Sequence, residues 1–229
     1  MTPMKHVFLN ADDTLWENEI YYREAKRRFA LLLSSYAQKE KVMEIFNGFQ
    51  EENIPVFGYG AKTCMTGFTD TAAELCGGNI PGTIYSSIKE ICRDLFWHEV
   101  KIIDGVTDTL EALSGRFSLV VATKGDMMEQ ERKFRESGLE KYFSGFEVMQ
   151  DKDERNYSAL ARKYGLSPSG IVMAGNSVRS DIVPVVSVGG TAIHVPHELV
   201  WEHEAMDMPQ SDRVIEVQSI RDLVTILCS

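Results

Sequence analysis

Four short polar clusters, each directly behind an apolar run, hold the residue types that could do chemistry. Asn10, Asp12 and Thr14 follow Val7-Phe8-Leu9, and Thr123, Lys124, Gly125 and Asp126 follow residues 119–122. Asp151 and Lys152 come behind residues 146–148, and Gly175, Asn176, Ser177 and Asp181 behind residues 171–174. Hydroxyl, carboxylate, amide and ammonium groups in this mixture suit a phosphate and a metal ion. Phosphoryl transfer asks a protein mainly for positioning and charge neutralisation. An anion can be held locally by a cation, a Lys and backbone N–H groups, whatever the overall charge of the chain.

Something must bring four distant clusters to one place. The runs at 5–9, 119–122, 146–148, 171–174, 191–195 and 214–217 are short and rich in β-branched residues, and amphipathic helical segments separate most of those beyond residue 100. Strand–helix–strand alternation predicts βαβ units and a doubly wound, Rossmann-like parallel sheet of the α/β class, covered on both faces. In such a sheet ligands bind beyond the carboxyl ends of the strands, where the four clusters lie. Residues 17–98 have a different texture. Tyr21, Ala25, Phe29, Leu32 and Tyr36 recur at helical spacing, as do Val42, Ile45, Phe46 and Phe49, and again Ile84, Ile88, Ile91 and Leu95. Residues 53–62 read as a Pro/Gly-interrupted connection, and 77–82 as a break. The expected organisation is an α/β core from residues 1–16 and 99–229 with an all-helical cap domain, 17–98, inserted into it.

Composition narrows the function classes. The chain has 229 residues, 44% of them hydrophobic and 25% charged, and a formal net charge of −10. These are globular values, and the acidic balance argues against nucleic acid as a partner. No apolar stretch approaches the ~20 residues of a membrane span, and the apolar run near the N-terminus is too short for a signal peptide. Cys64, Cys76, Cys92 and Cys228 show no C-x-x-C spacing, which suits free thiols and a cytoplasmic location.

The four clusters, in this order, resemble the motifs of the haloacid dehalogenase-like superfamily of hydrolases. Its first motif, Asp-x-Asp-x-Thr, is matched by Asn10-Ala11-Asp12-Asp13-Thr14, its second by Thr123, its third by Lys152, and its acidic fourth by GNSVRSD with Asp181. A helical insert between the first and second motifs is similar to the family's type-one cap. The resemblance implies a phosphatase acting on a small phosphorylated metabolite through an aspartyl phosphate formed on the residue at position 10. Asp12 would act as general acid and base, Thr123, Lys124 and Lys152 would hold the phosphoryl group, and Mg²⁺ would be bound by the side chains of residue 10 and Asp181 and by the backbone carbonyl of Asp12.

The chain departs from that pattern at its centre, because Asn10 stands where the nucleophilic Asp belongs. A carboxamide is neutral and a poor nucleophile. Since Asp12, Thr14, Thr123, Lys152 and Asp181 are all present, the expectation is a Mg²⁺-dependent phosphatase framework inactivated at its nucleophile, an exchange that would hold substrate unreacted. A natural, catalytically dead phosphometabolite-binding protein is the alternative. A metal-independent haloacid dehalogenase is a further one, against which Asp12 argues. Asn176 also stands where many relatives carry Asp. Among neighbouring residues, Asp13 is expected to stabilise the turn, Asp126 fits a helix N-terminus as well as the site, and Ser177 and Arg179 fit loop-shaping as well as function. His197 and His203 are six apart, on different faces of a helix, so they do not make a zinc motif. Oligomeric state and cap specificity are not legible.

Overall fold

Alternation along the first strand sets both faces of the sheet. Val7 and Leu9 point to one side and Phe8 to the other, and all three are buried. The computed structural model describes residues 5–228. Along the chain come β1 (His6–Leu9) and four helices, α1 (Glu19–Leu32), α2 (Lys39–Phe57), α3 (Ala61–Leu75) and α4 (Gly82–Phe96). Strands and helices then alternate: α5 (Val106–Ser114), β2 (Ser118–Lys124), α6 (Met127–Glu136), β3 (Gly145–Met149) and α7 (Glu154–Lys163). The remainder is β4 (Val172–Gly175), α8 (Val183–Ser187), β5 (Thr191–His194), β6 (Val214–Glu216) and α9 (Asp222–Cys228).

The strands form one parallel sheet in the order β3-β2-β1-β4-β5-β6. Leu9 pairs with Val121 on one side and with Ala174 on the other. Strand order therefore reverses between β1 and β4, and the crevice at their carboxyl ends is where a doubly wound sheet takes its ligand. On one face Val7, Leu9, Leu119 and Val121 pack with Leu110 and Leu113 of α5 and Leu223 of α9. On the other, Phe8, Val120 and Met173 pack with Tyr157 and Leu160 of α7 and Val185 of α8. The α/β expectation holds. Among the described residues, no helix is long and apolar enough to cross a membrane.

The chain divides into two units. Met1–Glu19, Val100–Lys124 and Gln130–Ser229 make up the sheet unit, and Ile20–Glu99 with Gly125–Glu129 make up the helical one. The core of the helical unit is built on Phe29, Phe46 and Phe68, with the Phe29 and Phe68 rings stacked 4.0 Å apart. Gly67 lets Phe46 in, because a Cβ there would meet its ring at 3.0 Å.

The observed division differs from the expected one at residues 17–19, at Glu99, which joins the helices, and at 125–129. Asn18 and Glu19 stay with the sheet unit because their N–H groups donate to the Asp13 carboxylate, at 2.8 and 3.1 Å. Gly125–Glu129 group with the helices through Glu129, which accepts Ala61 N at 3.0 Å, and Asp126, which accepts Lys62 Nζ at 2.8 Å. The supposed connection at 53–62 is also mostly helix. Pro55 falls in the last turn of α2, and the helix ends only at Gly58, whose φ of 79° suits a residue without a side chain.

Replacing Phe8, fully buried in the central strand and edge-on to Tyr164 at 5.4 Å, tests this packing. Phe8→Ala should lower unfolding free energy by about 3–5 kcal/mol in a urea titration. A loss under about 1 kcal/mol would contradict the assignment.

Candidate active site

The turn after β1 builds the centre of the site. Asn10 N donates to Ala174 O at 2.8 Å, continuing the β1–β4 pairing one residue further, so side chain 10 stands at the switch point. The Ala11 carbonyl then accepts Thr14 N and Leu15 N, at 3.2 and 2.7 Å, which closes the turn. Asp13 takes the left-handed φ of 55° that this requires. Its carboxylate receives the Asn18 and Glu19 amides, the turn-stabilising role expected of it. Burial and the adjacent Asp12 charge push the Asp13 pKa up to about 6.

The Asn10 carboxamide is saturated. Its Oδ1 accepts Lys152 Nζ at 2.7 Å, while its Nδ2 donates to Asp12 O and to Asn176 Oδ1, both at 2.8 Å, with Thr14 Oγ1 at 3.3 Å. Lys152 Nζ also donates to Asp181 Oδ1 at 2.6 Å. Burial lowers the pKa of the Lys152 ammonium, and Asp181 opposes that shift without cancelling it. Asp181 is fully buried in the π-helical turn Val178–Ile182, and its Oδ2 accepts Ser177 N at 3.0 Å. Gly175 makes room for it, since a Cβ there would lie 2.2 Å from Oδ2.

The Asp12 carboxylate is held by three donors. Its Oδ1 accepts Lys133 Nζ at 2.6 Å and Trp16 Nε1 at 2.7 Å, and its Oδ2 accepts Gln130 Nε2 at 2.8 Å. Burial pushes the Asp12 pKa up, but the Lys133 charge and these three hydrogen bonds outweigh it and hold the carboxyl below its ordinary value. Asp12 is therefore kept ionised, which suits a base and works against an acid. Thr123 is buried at the end of β2, its hydroxyl held only by two long contacts, Gln130 Oε1 at 3.4 Å and Lys124 O at 3.5 Å. Lys124, expected at the phosphate, donates instead to Ser180 Oγ at 2.8 Å and Glu204 Oε1 at 2.5 Å. Glu204 also takes the Ser177 and Ser180 hydroxyls, and Lys124 and these hydrogen bonds hold its pKa down against burial.

The structure thus joins Asn10, Lys152 and Asp181 in one hydrogen-bonded chain, with Asn176 and Thr14 beside them. Sequence reasoning missed Gln130, Lys133, Trp16 and Glu204. Gln130 and Lys133 carried one signal, a spacing of three on α6 that puts both on one helix face. Nothing in the stretch around Glu204 announces its partners. His197 pairs with Glu17 at 3.2 Å, and these two with Asp13 are the only trio of potential ligating groups brought together among the described residues.

The expected Mg²⁺ ligands, Asn10, Asp12 and Asp181, do not fit a divalent cation as they stand. Asn10 turns its N–H₂ toward the Asp12 carbonyl, the oxygen expected at the cation, and both Asp181 oxygens are engaged. A hard cation needs converging oxygens, and here a donor occupies the point of convergence.

Lys133 is fully buried, whereas the Asp12 side chain retains 22% exposure. Lys133→Met should therefore destabilise the protein by about 2–3 kcal/mol at pH 7, less than a wholly buried pair. In the unaltered chain the lowered Asp12 pKa contributes stability above the unfolded value of 3.8, which is lost as pH falls through the folded value. In the variant burial raises the Asp12 pKa, so the penalty shrinks on acidification. The gap between the two proteins in denaturant titrations should narrow from pH 7 to pH 4, and a gap that widens would refute the pairing.

Residues 4–189 match the haloacid dehalogenase-like hydrolase family. A haloacid dehalogenase-like hydrolase from Xanthomonas campestris superimposes with a TM-score of 0.88 at 32% identity, covering 98% of this chain and 91% of that one. A putative hydrolase of the same family from Bacillus subtilis, YfnB bound to magnesium, gives 0.66 at 17% identity, with all of both chains covered. A 2-haloacid dehalogenase from Pseudomonas syringae gives 0.64 at 21%, covering 99% of each. The comparison with curated proteins finds no match. Family match, relative and fold agree with the strand-end motifs, and the chain belongs to the haloacid dehalogenase-like hydrolases.

Proposed function

We propose that this hydrolase framework is built for small phosphate esters and is arrested at its nucleophile, so that the chain as it stands holds such an ester without hydrolysing it. The observation that carries the reading is the Lys152 ammonium, 2.7 Å from Asn10 Oδ1 and 2.6 Å from Asp181 Oδ1 at the end of β1. With Asp at position 10, the same contact would orient the carboxylate for attack on phosphorus. The donor set suits a phosphoryl group, with the loosely held Thr123 hydroxyl nearby in the same unit.

Carboxylate attack would form an O–P bond, release the ester oxygen as an alcohol and leave an aspartyl phosphate. Water would then cleave it, returning the carboxylate and inorganic phosphate. The leaving oxygen needs a proton and the water must lose one. Asp12 and Lys133, 2.6 Å apart, would serve as a coupled pair, with Asp12 as the ionised acceptor. Asn10 blocks the first step, because an amide oxygen engaged by Lys152 carries no negative charge to donate. The family commonly uses Mg²⁺, and its requirement here would return with a carboxylate at position 10. Asp12 also weighs against the dehalogenase reading, since a carbon–halogen displacement has no alcohol to protonate.

A panel of phosphate esters with Mg²⁺ tests this. Asn10→Asp should hydrolyse at least one of them ~10³-fold faster than the unaltered chain, roughly 4 kcal/mol of transition-state stabilisation. Adding Asp12→Asn should remove much of that gain. Equal rates with Asn and Asp at position 10 would overturn the nucleophile assignment. Ester binding without turnover in Asn10→Asp would make the protein a binding module, and metal-free release of halide from a 2-haloacid would make it a dehalogenase.

A further inference from the structure

We infer that in this chain the Asn10 amide takes the place of the divalent cation, so that the site is complete and charge-balanced without a metal. The inference concerns the site proposed above but needs no substrate.

The geometry fixes which way the amide faces. Lys152 Nζ can only donate, so the atom 2.7 Å from it must be an acceptor, Oδ1. The Asp12 carbonyl can only accept, so the atom 2.8 Å from it must be a donor, Nδ2. Turning the amide over would set donor against donor at Lys152 and acceptor against acceptor at Asp12 O. The Nδ2–H₂ group is thus locked at the meeting point of two oxygens, doing a cation's work with two hydrogen bonds.

Charge leads to the same place. Three lysines in the sheet unit each pair with a carboxylate: Lys152 with Asp181 at 2.6 Å, Lys133 with Asp12 at 2.6 Å, and Lys124 with Glu204 at 2.5 Å. Within these three pairs the neutral Asn10 leaves no carboxylate unanswered, and the neighbouring Asp13 is met by the Asn18 and Glu19 amides. With Asp at position 10, one oxygen would still meet Lys152. The other would face Asp12 O and Asn176 Oδ1 as a third acceptor, carrying a charge no lysine answers. A cation resolves both faults while keeping the carboxylate ionised, whereas protonation would give up the charge that a nucleophile needs. Residue 10 and the metal requirement are on this view a single choice.

Manganese titration followed by the EPR signal of free Mn²⁺ tests this without any turnover. The unaltered chain should leave Mn²⁺ free to about 1 mM, and Asn10→Asp should bind one equivalent at least about 100-fold more tightly. Melting of the unaltered chain should be the same in EDTA and in Mg²⁺, whereas Asn10→Asp should melt lower in EDTA and recover with Mg²⁺. One Mn²⁺ bound by the unaltered chain and lost in Asn176→Ala would overturn the inference, and so would equal Mn²⁺ affinity in the two proteins. If Asn10→Asp does not fold, the titration of the unaltered chain against Asn176→Ala still decides. If Asn10→Asp binds Mn²⁺ and hydrolyses no ester, the phosphate-ester reading fails while this one stands.

Discussion

A single buried ammonium organises the end of the sheet. Lys152 lies beyond β3, two strands away from β1, and neighbouring strands are ~4.8 Å apart, so only a long side chain on a well-placed loop could reach Asn10 and Asp181. The loop is held locally. Lys152 N donates to Asp151 Oδ1 at 2.8 Å, Asn156 Nδ2 donates to Asp151 O at 2.9 Å, and Asp153 caps α7 by accepting Asn156 N at 2.7 Å. The cap fixes the loop and the loop aims the lysine. The lysine then decides which end of the Asn10 amide faces Asp12.

Lys133, fully buried, and Lys124, partly buried, follow the same rule. A charge removed from water is costly, and its partner recovers that cost only with good geometry and further hydrogen bonds. Here the pairs have both. Asp12 accepts from Trp16 and Gln130 as well as Lys133, and Glu204 accepts from Ser177 and Ser180 as well as Lys124. Tyr157 extends the second network by donating to Ser180 O at 3.0 Å, and burial with Asp181 and Glu204 nearby raises its pKa well above the usual phenol value. Such networks contribute orientation more than stability. They hold each carboxylate from several sides, which suits a site that must position a small anion.

The parallel sheet, both of its covered faces and the cluster at Asn10, Lys152 and Asp181 were legible because their signals are local: an apolar run, then a polar turn. What could not be read depends on distant partners. Lys133 sits in a charged segment of α6 and meets Asp12 across 121 residues, and Glu204 meets Lys124 across 80. Nothing in the composition of a charged segment says that one of its lysines is fully buried. The Lys124 pairing was hidden for the same reason, since Glu204 lies in a stretch with no periodic pattern. Pro55 misled in the other direction, because a proline in a last helical turn disturbs only the bonds that the turn was about to lose.

The pairing of charges also changes what the intact motifs mean. From sequence, the presence of Asp12, Lys152 and Asp181 beside Asn10 reads as a catalytic apparatus kept for use. In the structure Asp181 is the counter-ion of a lysine with 4% exposure, and Asp12 that of a lysine with none. Losing either carboxylate would strand a buried ammonium, so both would persist on grounds of stability alone. Position 10 is different. Its side chain has no charge to balance, and an amide satisfies every neighbour it has. It is therefore a motif position where hydrolytic chemistry can be removed without stranding a buried charge, and it is where this chain departs from the family pattern at its centre.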